Sequence, residues 1–108
     1  MNAYFHPTMN EIVFPAAILQ PPFFYPPTAN KPFGEPALNF GAIGAVISHE
    51  ISHGYDDQGK QYSAIGELED WWTSKDAAAF DVRAKMMVSQ FNNHTFVGEK
   101  VNGELTQG

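Results

Sequence analysis

Cysteine is absent from the 108 residues. That excludes a disulfide scaffold and every thiolate metal site, and leaves the redox compartment undetermined. Positive charge is scarce as well: 6 Lys and Arg stand against 12 Asp and Glu, for a net charge of -6. No basic stripe runs along the chain, so electrostatic capture of nucleic acid or of an anionic membrane surface is excluded. Long apolar runs are missing, the longest (Phe40 to Ile47) being far too short to span a bilayer. The first residues lack a charged stretch followed by an apolar core, so they do not read as a signal peptide. Against these absences stands a hydrophobic fraction of 44%. That supplies a core for one small domain or for a piece of a larger one. A chain of this size buries only about two-thirds of its unfolded surface, which leaves a thin margin of stability.

Four segments follow from the pattern. Over residues 1–19, aromatic and β-branched residues flank the turn cluster Pro7-Thr8-Met9-Asn10. Two short strands are predicted there, Ala3–His6 and Glu11–Phe14, joined as a hairpin and ended by Pro15, which cannot donate to a ladder. Residues 20–38 hold six prolines and the aromatics Phe23, Phe24, Tyr25 and Phe33. No two of those prolines have the PxxP spacing, so the segment reads as a loop pinned by its aromatics rather than a polyproline ligand. A helix is predicted from Asn39, as N-cap, to His53, with Gly54 as C′ residue; the segment spans 39–54. Ile43, Val46, Ile47 and Ile51 form its apolar surface, and Gly41 and Gly44 suggest close approach of another backbone. A second helix is predicted from Thr73 or Ser74 to Asn92, with Phe80, Met87 and Phe91 at helical spacing and the Met86-Met87 pair in the core. Asn93-His94-Thr95 is a glycosylation sequon by form only.

His49-Glu50-Ile51-Ser52-His53 is an H-E-x-x-H segment on the first helix. Residues four apart share a helix face with Cβ atoms about 5–6 Å apart, so two imidazoles can ligate one Zn²⁺. Glu50 lies one step round, near the metal but off the ligand line, where it can take a proton from a water attacking a peptide carbonyl. A shuffled chain of this composition holds the pattern about once in a hundred times or less. Zinc in such a site needs a third protein ligand. The longer motif with Gly at 56 and His at 59 fails, since those positions hold Asp56 and Gly59. No Glu is followed four residues later by Asp. His6 and His94 remain as candidates, each reading more readily as a solvated or packed histidine. From the residues alone the metal site is incomplete.

Several blocks in order resemble the neprilysin family of zinc metallopeptidases (M13, with bacterial oligopeptidase O members). They are Asn2-Ala3-Tyr4, Asn10-Glu11-Ile12-Val13-Phe14-Pro15-Ala16, Ile18-Leu19-Gln20-Pro21-Pro22-Phe23-Phe24, Gly44 to Gly54 around the histidines, Asp56-Asp57-Gln58-Gly59 and Asp70-Trp71-Trp72. The resemblance implies an α+β fold, a fragment of a thermolysin-like (gluzincin) catalytic core. It implies endopeptidase action on oligopeptides with Zn²⁺ as cofactor; it leaves the location open, the family having both membrane-anchored ectodomains and soluble bacterial members, with an extracytoplasmic place favoured over the cytoplasm. By resemblance His49 and His53 are zinc ligands and Glu50 the general base. Asn2 and Ala3 match the strand that pairs with substrate backbone, and Asp56 and Asp57 either orient an imidazole or cap the loop after the helix.

The departures shape a further expectation. The family's third ligand is a Glu in a G-E-N-x-x-D segment, and Asn102 to Gly108 resembles the residues leading into it, so Glu104 is not that ligand. Met1 stands where the family usually has valine, which suggests an engineered start. The chain therefore reads as an excised part of a larger peptidase. Its partners would be an oligopeptide substrate and, through exposed apolar surface, further copies of itself, with no nucleic acid and no membrane contact from this segment. On its own it would be inactive, a non-enzymatic metal-binding piece unless another chain completed the site.

Overall fold

The computed structural model describes residues 2–107; Met1 and Gly108, on which the expectations about the two ends of the chain fall, lie outside them. Alternating residues around the turn cluster form an antiparallel hairpin of β1 (Tyr4–His6) and β2 (Glu11–Val13), with Phe5 opposite Ile12. Asn10, with φ of 47°, closes the turn in the left-handed region that asparagine tolerates better than most residues. The sheet has two strands only, so β1 keeps one edge unpaired among the described residues.

The Pro-rich segment packs Phe23 and Phe24 against the core, while Phe33 is 83% exposed and pins nothing. The predicted single helix over Asn39–His53 is instead two. Helix α1 (Pro36–Gly41) starts with proline at its first turn, where the missing N–H has no intrahelical partner to lose. Helix α2 (Ile43–Ser52) follows after a break at Ala42. The break has a physical source, since the Ile43 N–H donates to the Phe23 carbonyl at 3.0 Å rather than into α1. Asn39 caps nothing. Its side-chain oxygen accepts from Tyr25 N (2.7 Å) and its amide donates to Tyr25 O (2.9 Å), tying the loop to α1. Nor is Gly54 a terminal αL residue, because α2 runs on into a 3₁₀ turn over His53–Tyr55. Gly41 faces open space and Gly44 makes ordinary contact, so neither marks a close backbone approach among the described residues.

Helix α3 (Ser74–Asn92) is capped by Thr73, whose hydroxyl accepts from Asp76 N at 3.1 Å and donates to the Asp76 carboxylate at 2.5 Å. Its inward stripe is Phe80, Ala84, Val88 and Phe91. Met86 and Met87 are exposed, against the expectation that the pair belongs to the core. A short hairpin of β3 (Thr95–Phe96) and β4 (Glu99–Lys100) follows, and a 3₁₀ turn over Gly103–Gln107 packs back on α3. Gly103 N donates there to Asn92 Oδ1 at 2.7 Å.

The core is small: Ala3, Ile18 and Ile43 are buried, with Phe14, Phe23, Phe24 and Val46 against them. Ile47 and Ile51, predicted to face it, are more than a third exposed. The radius of gyration is 17.6 Å, against about 13 Å for a compact domain of this length. The accessible surface is 8061 Å², against about 6,000 Å² for a globular monomer of this mass. The described residues form an α+β arrangement spread around one shared patch of core rather than wrapped about it.

Candidate metal centre

One helical turn separates His49, in α2, from His53, the helical residue that caps its C-terminal end, and both imidazoles leave the same face. Their Nε2 atoms stand 3.0 Å apart. Two nitrogens bound to one tetrahedral ion at about 2.0–2.1 Å would stand about 3.3 Å from each other, so this spacing already fits zinc. Glu50 is the one buried charged side chain among the described residues, at 3% exposure. Its carboxylate and the two imidazoles offer ligand atoms that all lie within 4.8 Å of one another, and no other such group of His, Asp or Glu occurs among the described residues.

The loop after α2 orients one of the rings. His53 Nδ1 lies 2.6 Å from Asp56 Oδ2. An N–H at Nδ1 pointing to that carboxylate leaves Nε2 as the lone-pair nitrogen, turned toward His49. The other Asp56 oxygen accepts from Gln58 N at 3.0 Å and Gly59 N at 2.7 Å, an Asx-type turn. Asp56 thus bonds the His53 ring with one oxygen and the N–H groups of the following loop with the other. Asp57 is placed otherwise. One of its oxygens accepts from Gln58 Nε2, its carbonyl accepts from Gln61 Nε2, and it bonds to neither imidazole.

The hairpin supplies the opposite wall. A cavity of about 550 Å³ is lined by Asn2, Ala3 and Tyr4 on one side and by His49, Glu50 and His53 on the other. Ala3 is buried and donates its N–H to the Asn2 side-chain oxygen at 3.0 Å. The cavity is of the size that holds small ligands, and Tyr4 and Phe5 of β1 line it. Gln58, from the Asp56–Gly59 block, also lines it, as does Tyr62, which had no signal in the sequence beyond its nearness to the motif. His6 bonds to the Thr8 hydroxyl and His94 stacks edge-on against Phe91, so neither joins the group. Glu104 is exposed and lies outside it too.

Comparison with known proteins agrees with this geometry. Residues 2–108 match the family model "Peptidase family M13". The chain is 48% identical over 108 residues to endothelin-converting enzyme 1 of Rattus norvegicus, covering all of the chain and 13% of that protein. It is 49% identical over 110 residues to neprilysin-11 of Caenorhabditis elegans, covering all of the chain and 12% of that protein. Among solved structures it resembles the inhibitor complex of the Mycobacterium tuberculosis zinc metalloprotease Zmp1, with a TM-score of 0.84 and 48% identity over 97% of the chain and 16% of that structure. PepO of Lactobacillus rhamnosis is similar, with a TM-score of 0.84 and 45% identity over 97% of the chain and 16% of that structure. The chain thus spans about an eighth of the length of the curated relatives it matches.

Proposed function

This chain belongs to peptidase family M13, and on that premise we propose that the whole protein is a zinc-dependent endopeptidase that cleaves oligopeptides. The observation that carries the reading is the convergence of two imidazole Nε2 atoms, 3.0 Å apart, beside the buried Glu50 carboxylate. A bound Zn²⁺ would act there as a Lewis acid on a peptide carbonyl and lower the pKa of water toward about 7. His49 and His53 present lone pairs for it, and Asp56 fixes the ring of His53. Glu50 accepts a proton from the attacking water and returns it to the leaving amine nitrogen as the C–N bond breaks. Asn2 and Ala3, which lead into β1 and line the cavity, bind the substrate as an added strand through main-chain hydrogen bonds.

The 108 residues alone would hydrolyse little or no peptide. Among the described residues two imidazoles leave the ion short of the three protein ligands that catalytic zinc takes. The decisive experiment replaces Glu50 with Gln in the full-length protein. Turnover of a model oligopeptide should fall by at least about a hundredfold while zinc content is kept. Retained turnover would remove Glu50 from the role of base.

A second reading concerns the isolated chain and rests on its exposed apolar side chains, among them Phe33, Phe40, Val82 and Met86. Separated from the rest of the protein, the chain would associate with copies of itself.

A further inference from the structure

We propose that Gly59 is a positioning residue for His53, holding the metal-binding imidazole in place through Asp56; this rests on the assignment of His53 as a zinc ligand above. The 3₁₀ turn Gly59–Gln61 folds back beneath the C-terminal end of α2. Gly59 is buried there, and its N–H donates to Asp56 Oδ1 at 2.7 Å while Asp56 Oδ2 holds His53 Nδ1 at 2.6 Å. A Cβ on Gly59 would lie 1.7 Å from the His53 carbonyl oxygen, 2.8 Å from its carbonyl carbon and 3.1 Å from the carbonyl carbon of Gly54. Such distances are far inside van der Waals contact, which begins at about 3.5 Å between carbon atoms. The φ of Gly59 is not in the left-handed region, so the position requires glycine for space and not for conformation.

What a side chain at 59 would strike is the backbone of His53 itself. Relief requires the His53 peptide to swing or the turn to back away. Either motion strains the Asp56 carboxylate away from the imidazole, because that carboxylate bridges the two residues forced apart, Gly59 through its N–H and His53 through its ring. The turn cannot back away freely. Trp72 Nε1 donates to Lys60 O at 3.0 Å, Trp71 Nε1 to Tyr62 O at 2.9 Å, and Lys60 N to Asp56 O at 3.1 Å. The Lys60 ammonium also sits 4.2 Å over the Phe80 ring of α3. A run of contacts thus leads from the Trp71-Trp72 pair through the turn to the imidazole, and Gly59 is the point at which it touches the helix.

The alternative is that Gly59 only permits a tight turn. Gly34 separates the two. A Cβ there would lie 2.5 Å from Tyr25 O, and its φ of 66° favours glycine as well, but it sits in the Pro-rich segment apart from the histidines. The experiment measures zinc affinity by chelator competition, and the visible absorption of the Co²⁺-loaded form, in the full-length protein and its variants. Gly59→Ala should bind zinc about 10–100-fold more weakly, the usual effect of disturbing an outer partner of a ligand, and shift the Co²⁺ bands. Gly34→Ala should lower thermal stability and leave both readings within about twofold of wild type. A folded Gly59→Ala protein with wild-type affinity and bands overturns the proposal, as does an equal loss in Gly34→Ala. If Gly59→Ala does not fold, Trp72→Phe decides. That change keeps the ring and deletes the donor to Lys60, so weakening by at least about threefold supports the proposal and unchanged affinity overturns it. Should His53→Ala bind zinc as tightly as wild type, the ligand assignment itself fails, and with it the role of Gly59.

Discussion

The His53 imidazole is held by Asp56, whose Oδ2 meets its Nδ1 at 2.6 Å and so turns its Nε2 toward Nε2 of His49, 3.0 Å away. A ring fixed in this way does not need to be reorganised when a cation arrives. The site is preorganised at His53 by a carboxylate from the loop immediately after the helix.

Removing a ligand should therefore affect metal binding out of proportion to stability. In the full-length protein, His53→Ala is expected to lower zinc affinity by more than about a hundredfold, beyond what loss of an outer partner alone produces. His94→Ala should leave it unchanged, since His94 stacks on Phe91 away from the centre. Chelator competition on both variants checks this, and equal losses would mean that the helix is not where the ion sits.

Substrate contact along β1 should appear in KM. Asn2→Ala removes the acceptor that holds the Ala3 N–H. With the strand end less ordered, KM for an oligopeptide should rise by about two- to tenfold while kcat changes little, the pattern of lost uniform binding. A fall in kcat at constant KM would instead place Asn2 at the reacting atoms.

At the start of α3, Thr73→Ala deletes both the acceptor for Asp76 N and the donor to the Asp76 carboxylate. Loss of such a cap costs about 1 kcal/mol, which corresponds to roughly fivefold faster amide exchange in the first turn. Unaltered exchange at Asp76 and Ala77 would show that the helix start is fixed by tertiary packing instead.

The isolated 108 residues should elute from a sizing column above the monomer mass, because 8061 Å² of accessible surface exceeds the roughly 6,000 Å² of a globular protein this small. A compact monomer that persists on dilution would contradict this.

Much of the candidate site could be read from residue spacing because its chemistry is local. His49, Glu50 and His53 lie within one helical turn and a half, and a helix of any tertiary setting brings them together. The α+β character was legible for the same reason, through a hairpin marked by its turn residues and a helix marked by Thr73 and Asp76. Non-local events were not legible. The break at Ala42 follows from Ile43 donating to Phe23, a residue 20 positions away in the chain. Asn39 fails as a cap because the Tyr25 backbone already engages its side chain. On α3, Val88 rather than Met87 turns inward, since periodicity fixes the width of an apolar stripe more firmly than its phase. Gly59 was visible as a glycine after Asp56, but a sequence does not say whether a glycine serves φ or space.

A free strand edge such as that of β1 meets a peptide through amides and carbonyls, which every residue type but one supplies in full. Side chains of a strand so added point alternately toward and away from the cavity floor, so only every second one is inspected. Proline lacks the donor, and in the position that faces the edge it would leave a carbonyl of β1 without its partner. An oligopeptide register would then be refused for its backbone before any pocket had read its side chains.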